Sequence, residues 1–169
     1  MVSYRARKAS NGANHLHSPS HLLRRCEQYA DDLFAREPNI TDLTRQQFIV
    51  LAALEHNSGV SQIELVALTG IDRSTLAEMV RRMKSKNLLD RERATGNRRA
   101  NALRILLEGR KALERARSAN EKADKVVLCN LPAADRTRFL QMLALIAARA
   151  GIGGKRTPTS LYTSSRRSR

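Results

Sequence analysis

A mainly α-helical fold carrying one small β-hairpin is predicted by three features of the 169-residue sequence. Apolar residues recur at helical spacing over most of 18–150. A short capped helix, a Gly-bearing turn and a second amphipathic helix follow one another directly between 61 and 86. Two strand-like runs then flank one turn cluster, Ala94-Thr95-Gly96-Asn97.

The elements follow in order. Ser18-Pro19 opens a first helix, with Ser as N-cap and Pro at the first helical position. Leu22, Leu23, Cys26, Tyr29, Ala30, Leu33 and Phe34 carry it to about Arg36, and Pro38 closes it. Thr44-Arg45-Gln46-Gln47 matches a capping box, and the apolar run Phe48 to Leu54 behind it reads as a buried central helix. Ser61-Gln62-Ile63-Glu64 is a second capping box, opening a short helix to about Leu68. Gly70 supplies the turn and Asp72 caps a helix from Arg73 to about Lys86. Leu76, Met79, Val80 and Met83 fall on one stripe of that helix. Strands are expected over 88–93 and 100–105, with Arg98 and Arg99 side by side at the tip between them. A long charged helix runs from Glu108 to about Val127, with Leu113, Ala116, Ala119, Ala123 and Val127 as a thin seam. Pro132 starts a last helix striped by Phe139, Met142, Leu143 and Ile146, widened by Leu140 and Leu145. The terminal helices keep wide apolar faces and the middle has few aromatics, so a core shared between copies would add to its own, and the whole reads as a winged helix-turn-helix with a helical dimerisation region.

The expected organisation is a flexible basic tail (1–17), a dimerisation helix (18–40), the winged unit (41–106), dimerisation helices (107–150) and a second flexible basic tail (151–169). The tails are rich in Ser, Gly and basic residues and lack the apolar side chains that would repay ordering.

Composition narrows the function. The chain has 31 Lys and Arg against 16 Asp and Glu, a formal charge of +15. Residues 71–104 hold ten basic residues against Asp72, Glu78, Asp90 and Glu92, so the excess inside the folded part concentrates there. A polyanion is the implied partner, because phosphate binding releases condensed counterions. Aromatics make up 4% and Trp is absent, which argues against a stacking platform for single strands. No apolar run approaches the ~18 residues of a membrane span and MVSYRARKAS has no apolar stretch of a secretion signal, so no membrane association and a cytoplasmic location are expected. No nucleophile elbow, phosphate-cradling Gly loop or paired acids with spaced His is present, so an enzyme is not expected, nor any cofactor.

Double-stranded DNA is therefore the expected partner. With the stripe anchoring its helix, Arg73, Ser74, Thr75, Ala77, Glu78 and Arg81 remain available to a major groove. Arg pairs bidentately with guanine, and small residues meet the thymine methyl. Glu78 has two readings: it accepts from cytosine, or it pairs with Arg81 or Arg82 one turn on. Ser61 and Gln62 lie at a helix N-terminus suited to a phosphate, and Arg98 and Arg99 suit a minor groove.

The stretch IDRSTLAEMVRRMKSKNLLDRERATGNRRANALRILLEGR resembles the recognition helix, wing and long-helix start of the multiple antibiotic resistance regulator (MarR) family. LTRQQFIVLAAL resembles the family's second helix and LPAADRTRFLQMLALI its last, so the likeness spans about 18–150. Three departures stand out. Asn97 occupies the place of the Asp in the family's Asp-x-Arg wing, with Arg99 as the Arg. Ile105-Leu106-Leu107-Glu108-Gly109 lacks the Thr that would cap the long helix, and Lys86-Asn87 stands where many members have Gly.

The resemblance implies a homodimer whose terminal helices interlock and whose two winged lobes bind a pseudo-palindromic operator. It also implies repression relieved by a small effector in the crevice between dimer core and lobe, an aromatic or phenolic acid or its coenzyme A thioester. Arg25, Tyr29, Arg36 and Phe48, with Arg24, sit on helices bordering that crevice; an Arg there would hold a carboxylate or phosphate. Tyr29 and Phe48 also have a plainer reading as ordinary core, which their helical spacing favours. The alternatives are a redox-sensing regulator using Cys26, or a non-specific architectural DNA binder with adhesive tails. A metal sensor built on His15, His17, His21 and Cys26 lacks the usual ligand spacing.

Overall fold

The computed structural model describes residues 15–38, 43–57, 59–92 and 102–149. Six α-helices and a three-stranded sheet make up these residues: α1 Pro19–Ala35, α2 Arg45–His56, β1 Val60–Ser61, α3 Gln62–Thr69, α4 Arg73–Ser85, β2 Leu89–Glu92, β3 Ala102–Ile105, α5 Leu107–Cys129 and α6 Arg136–Arg149. Single 3₁₀ turns, His15–His17 and Ala133–Asp135, precede α1 and α6.

Local chemistry sets the helix starts. Ser18 Oγ accepts from the His21 N–H, with Pro19 in the first turn of α1. At α2 the Gln47 N–H donates to Thr44 Oγ1 at 3.2 Å, and the Thr44 N–H donates to Gln47 Oε1 at 3.1 Å. This reciprocal box satisfies two N–H groups that a helix start leaves open. Thr44→Ala is expected to lower unfolding free energy by about 1 kcal/mol; an unchanged urea midpoint would remove the box from the account. The start of α5 behaves differently. Leu106 offers no side-chain cap, as expected from the missing Thr.

The strands pair antiparallel in the order β1-β3-β2. Leu89 faces Ile105, Arg91 faces Leu103, and Val60 faces Leu103 from the other side. The third strand, β1, was not expected; two residues are too few to show alternation. Within the described residues β3 spans Ala102–Ile105, inside the run expected to form the second strand. The hairpin tip, with Arg98 and Arg99, the tail 151–169 and residues 1–14 of the first tail lie outside the described residues, while the end of that first tail forms the His15–His17 turn.

One continuous core joins the sheet and helices. Val50, Leu51 and Leu54 of α2, Leu65 of α3, Leu76, Met79, Val80 and Met83 of α4, Leu89 and Leu103 of the sheet, and Leu113 of α5 are all buried in it. The seam Ala116, Ala119 and Ala123 extends it along α5, and α1 adds Phe34. Asn87 takes φ +55° between α4 and β2, the left-handed conformation that Asn tolerates in place of Gly.

The last helix departs from this pattern. α6 follows Pro132 by way of the 3₁₀ turn and has no buried residue. Leu145 is 70% and Ile146 56% exposed, and Leu22, Leu23 and Tyr29 of α1 and Val126 of α5 are exposed as well.

Candidate nucleic-acid interface

The reading surface is built on α3, the turn after it, and α4. Gly70 at φ +70° ends α3 and sends its N–H back to the Val66 carbonyl. Only glycine enters this conformation without steric cost, so the turn angle between the two helices rests on it. Thr69 tightens the same turn: its hydroxyl donates to the Leu65 carbonyl at 2.7 Å and accepts from the Ile71 N–H.

Asp72 then caps α4, accepting from the Thr75 N–H at 2.9 Å and the Ser74 hydroxyl at 2.6 Å. The bonds from Ser74 and Thr75 hold its carboxyl well below the usual carboxylate range. Ser74 is thereby committed to the cap as well as lying on the outer face.

The anchoring stripe is buried in full, from Leu76 to Met83. Arg73, Ser74, Thr75, Ala77 and Arg81 are exposed, with Glu78 half-buried. Glu78 takes the second of its two expected roles: Arg81 donates to it through Nε at 2.9 Å and Nη2 at 2.7 Å, and Arg82 Nε lies 3.3 Å away. The hydrogen bond from Arg81 keeps the Glu78 carboxyl below its ordinary range. Glu78 thus holds the Arg81 guanidinium in one orientation. Among the described residues Arg73 makes no ion pair.

Ser61 and Gln62 sit together at the start of α3. The Ser61 N–H and hydroxyl donate to Glu64 Oε2 at 2.8 and 3.0 Å, and the Glu64 N–H donates to Ser61 Oγ. Arg91 of β2 reaches across to donate to Gln62 Oε1 at 3.4 Å. Sequence reasoning missed Arg91 as part of this surface. Its signal was its place inside the predicted strand 88–93, but only the folded sheet, with the bond to Gln62, shows that it reaches α3. Beside it, Lys84 Nζ pairs with Asp90 at 2.9 Å, and Arg104 stands opposite Asp90 across the strands.

The predicted effector residues separate. Arg25, Tyr29 and Arg36 are exposed and recur at helical spacing on one side of α1 and its cap. Phe48 is 8% exposed and packs on Phe34 with ring centroids 5.9 Å apart. Phe34 points about 140° around α1 from Tyr29, so the structure does not gather these four side chains into one pocket. Cys26 and Cys129 are both free and exposed. Among the described residues no group of three or more His, Cys, Asp or Glu is placed to hold a metal. No described helix is long and apolar enough to cross a membrane.

A capped helix, a glycine turn, a buried-stripe helix and an antiparallel sheet in this order define a winged helix-turn-helix DNA-binding protein. Comparison with known proteins agrees. The MarR family model matches residues 41–100. The transcriptional regulator HosA of Escherichia coli is 30% identical over 104 residues, 62% of this chain and 77% of HosA. Among solved structures, BpsR of Bordetella bronchiseptica, whose DNA binding is regulated by 6-hydroxynicotinic acid, superposes with a TM-score of 0.71. It is 26% identical and the match covers 80% of this chain and 97% of BpsR. PcaV of Streptomyces coelicolor, solved with its natural ligand, gives 0.70 at 29% identity over 83% and 99% of the two chains. The transcriptional repressor CouR, bound to a 23-mer DNA duplex, gives 0.68 at 26% identity, again over 83% and 99%. The chain belongs to the MarR family of transcriptional regulators; it is a DNA-binding regulator and not an enzyme.

Proposed function

We propose that two copies of this chain form a repressor that reads a pseudo-palindromic operator, one α4 in the major groove of each half-site, and releases it on binding an aromatic acid, free or as its coenzyme A thioester. The observation that carries the reading is the division of α4: Leu76, Met79, Val80 and Met83 are buried, while Arg73, Thr75, Ala77 and Arg81 face outward on a rigid, capped helix. Gln62 at the start of α3 and Arg91 of β2 beside it supply phosphate contacts that set the register, on a helix start that Ser61 and Glu64 hold in place, with Ser61 turning its hydroxyl to the phosphate in exchange for Glu64 on binding; Arg98 and Arg99 extend the contact to the flanking groove.

Dimerisation is supported by α6. A 14-residue helix with no buried residue and with Leu140, Met142, Leu145 and Ile146 exposed needs a partner surface. The exposed apolar residues of α1 and the end of α5 supply one in a second copy. The repressor role is supported by CouR, and the effector class by the 6-hydroxynicotinic acid that regulates BpsR. In this chain Arg25, Tyr29 and Arg36 offer cationic groups and a ring on one side of α1. Effector preference for the unbound spacing of the two lobes lowers DNA affinity by linkage.

Selection of duplexes from a random pool tests the reading. An inverted repeat should emerge, preferred over random duplex by about 10³ or more at fixed salt; an architectural binder would enrich nothing. Arg73→Ala should then cost about 1–3 kcal/mol at particular base pairs, and a loss spread evenly over all positions would take Arg73 out of base readout. Thermal-shift screening with aromatic acids and their thioesters, scored beside duplex release, identifies the effector.

A further inference from the structure

The lobe that carries α3 and α4 begins with α2, and α2 lies along α5. Beyond Leu113 the buried seam of α5 is small: Ala116, Ala119 and Ala123. Alanines bury little area and interlock weakly, so this seam by itself does not define one angle for the helices packed on α5.

Charged pairs stand at both ends of that seam. At the start of α2, Arg45 reaches Asp31 of α1 at 3.4 Å and Asp124 of α5 at 3.8 Å. Near the end of α2, Glu55 accepts a short hydrogen bond from Arg117 of α5, which Glu114 also holds at 2.7 Å. The cation is on α2 at one end and on α5 at the other, so sliding or turning α2 along α5 separates both pairs at once.

The two ends differ in tightness. Glu55 and Arg117 are only 26% and 34% exposed and make a direct hydrogen bond. Arg45 is more enclosed, at 19%, yet both its carboxylate contacts are long, and its buried Nε has no partner among the described residues. Asp124 is steadied from the other side by Asn120 at 3.0 Å, and its burial raises its carboxyl above the usual range. A guanidinium enclosed between two helices with only long carboxylate contacts to them is held by its surroundings as much as by those bonds.

We propose that Arg45 with Asp31 and Asp124, and Glu55 with Arg117, form an ionic latch that sets the angle of the winged lobe on the dimer helices and so the half-site spacing the protein accepts. Arg45 is a positioning residue: it acts through α2 on α4. The proposal rests on the dimeric, two-headed reading above.

The test uses the inverted repeat selected by the wild-type protein, rebuilt with the spacer between half-sites lengthened and shortened base pair by base pair, and one duplex with a single half-site. Wild type should prefer one spacing over its neighbours by about tenfold. Arg45→Gln should flatten that preference to less than about threefold while leaving single half-site affinity unchanged. Asp124→Asn, which keeps the side-chain volume, should act in the same way and answers the question should Arg45→Gln fail to fold. A spacing profile as sharp as wild type in the folded variants overturns the latch alone. Single half-site affinity falling in parallel also overturns it, since Arg45 would then act on the reading surface. A flat profile for wild type sinks the two-headed reading and the latch with it.

Discussion

Ile146→Glu is expected to leave the protein monomeric and to lower its affinity for the selected duplex by about 10²- to 10⁴-fold. Ile146 is 56% exposed on α6 beside Leu145 at 70%, and none of the 14 residues of that helix is buried within the chain. A carboxylate at this position costs nothing in the isolated chain, because water already reaches it. In the dimer it would be driven into an apolar contact without a partner. The loss on DNA follows from multivalency: once one lobe is bound, the second is held at high effective concentration, and a monomer forfeits that gain. Affinity for a single half-site should stay as it was. A variant that remains dimeric by sedimentation would show that α6 faces solvent in the assembled protein.

Gly109→Ala should destabilise the fold by about 2 kcal/mol or more. Gly109 is buried in the first turn of α5, where an added Cβ would sit 2.0 Å from the Leu88 carbonyl oxygen and 2.9 Å from Ile105 Cγ1. The same Leu88 carbonyl accepts from the Leu106 N–H at 3.0 Å, so it cannot retreat freely. Relief requires α5 to lift from the base of the wing. The sign is diagnostic. In an open helix position the change would be stabilising by roughly 1 kcal/mol from propensity alone. A higher urea midpoint would mean that α5 and the start of β2 do not approach this closely. Against a typical total of about 5–15 kcal/mol the expected loss is severe, and it strikes the joint between wing and long helix.

These expectations draw unequally on the sequence. The capping boxes at Thr44 and Ser61, the Asp72 cap, Gly70 and the α4 stripe were all legible there, because each depends on residues within one or two turns of one another. The left-handed Asn87 was legible for the same reason. What escaped depends on contacts distant in sequence. β1 exists only because Val60 and Ser61 meet Leu103 and Ala102, and Arg91 joins the α3 N-terminus only through the register of β2 on β3. Phe48 shares helical spacing with many core residues, and its contact with Phe34 follows from how α1 crosses α2. The apolar face of α6 was visible as a stripe, but its partner is another molecule and leaves no local signature. Glu78 shows the same limit at a single side chain: acid and cation one turn apart are compatible with pairing or with a base contact, and the geometry places Arg81 on the acid.

Sedimentation equilibrium of the full chain at micromolar concentration bears most directly on the claim that two copies join through their terminal helices to present two reading lobes. The account predicts one species at twice the 18.9 kDa chain mass. A species at the chain mass alone, with the fold intact, would contradict it.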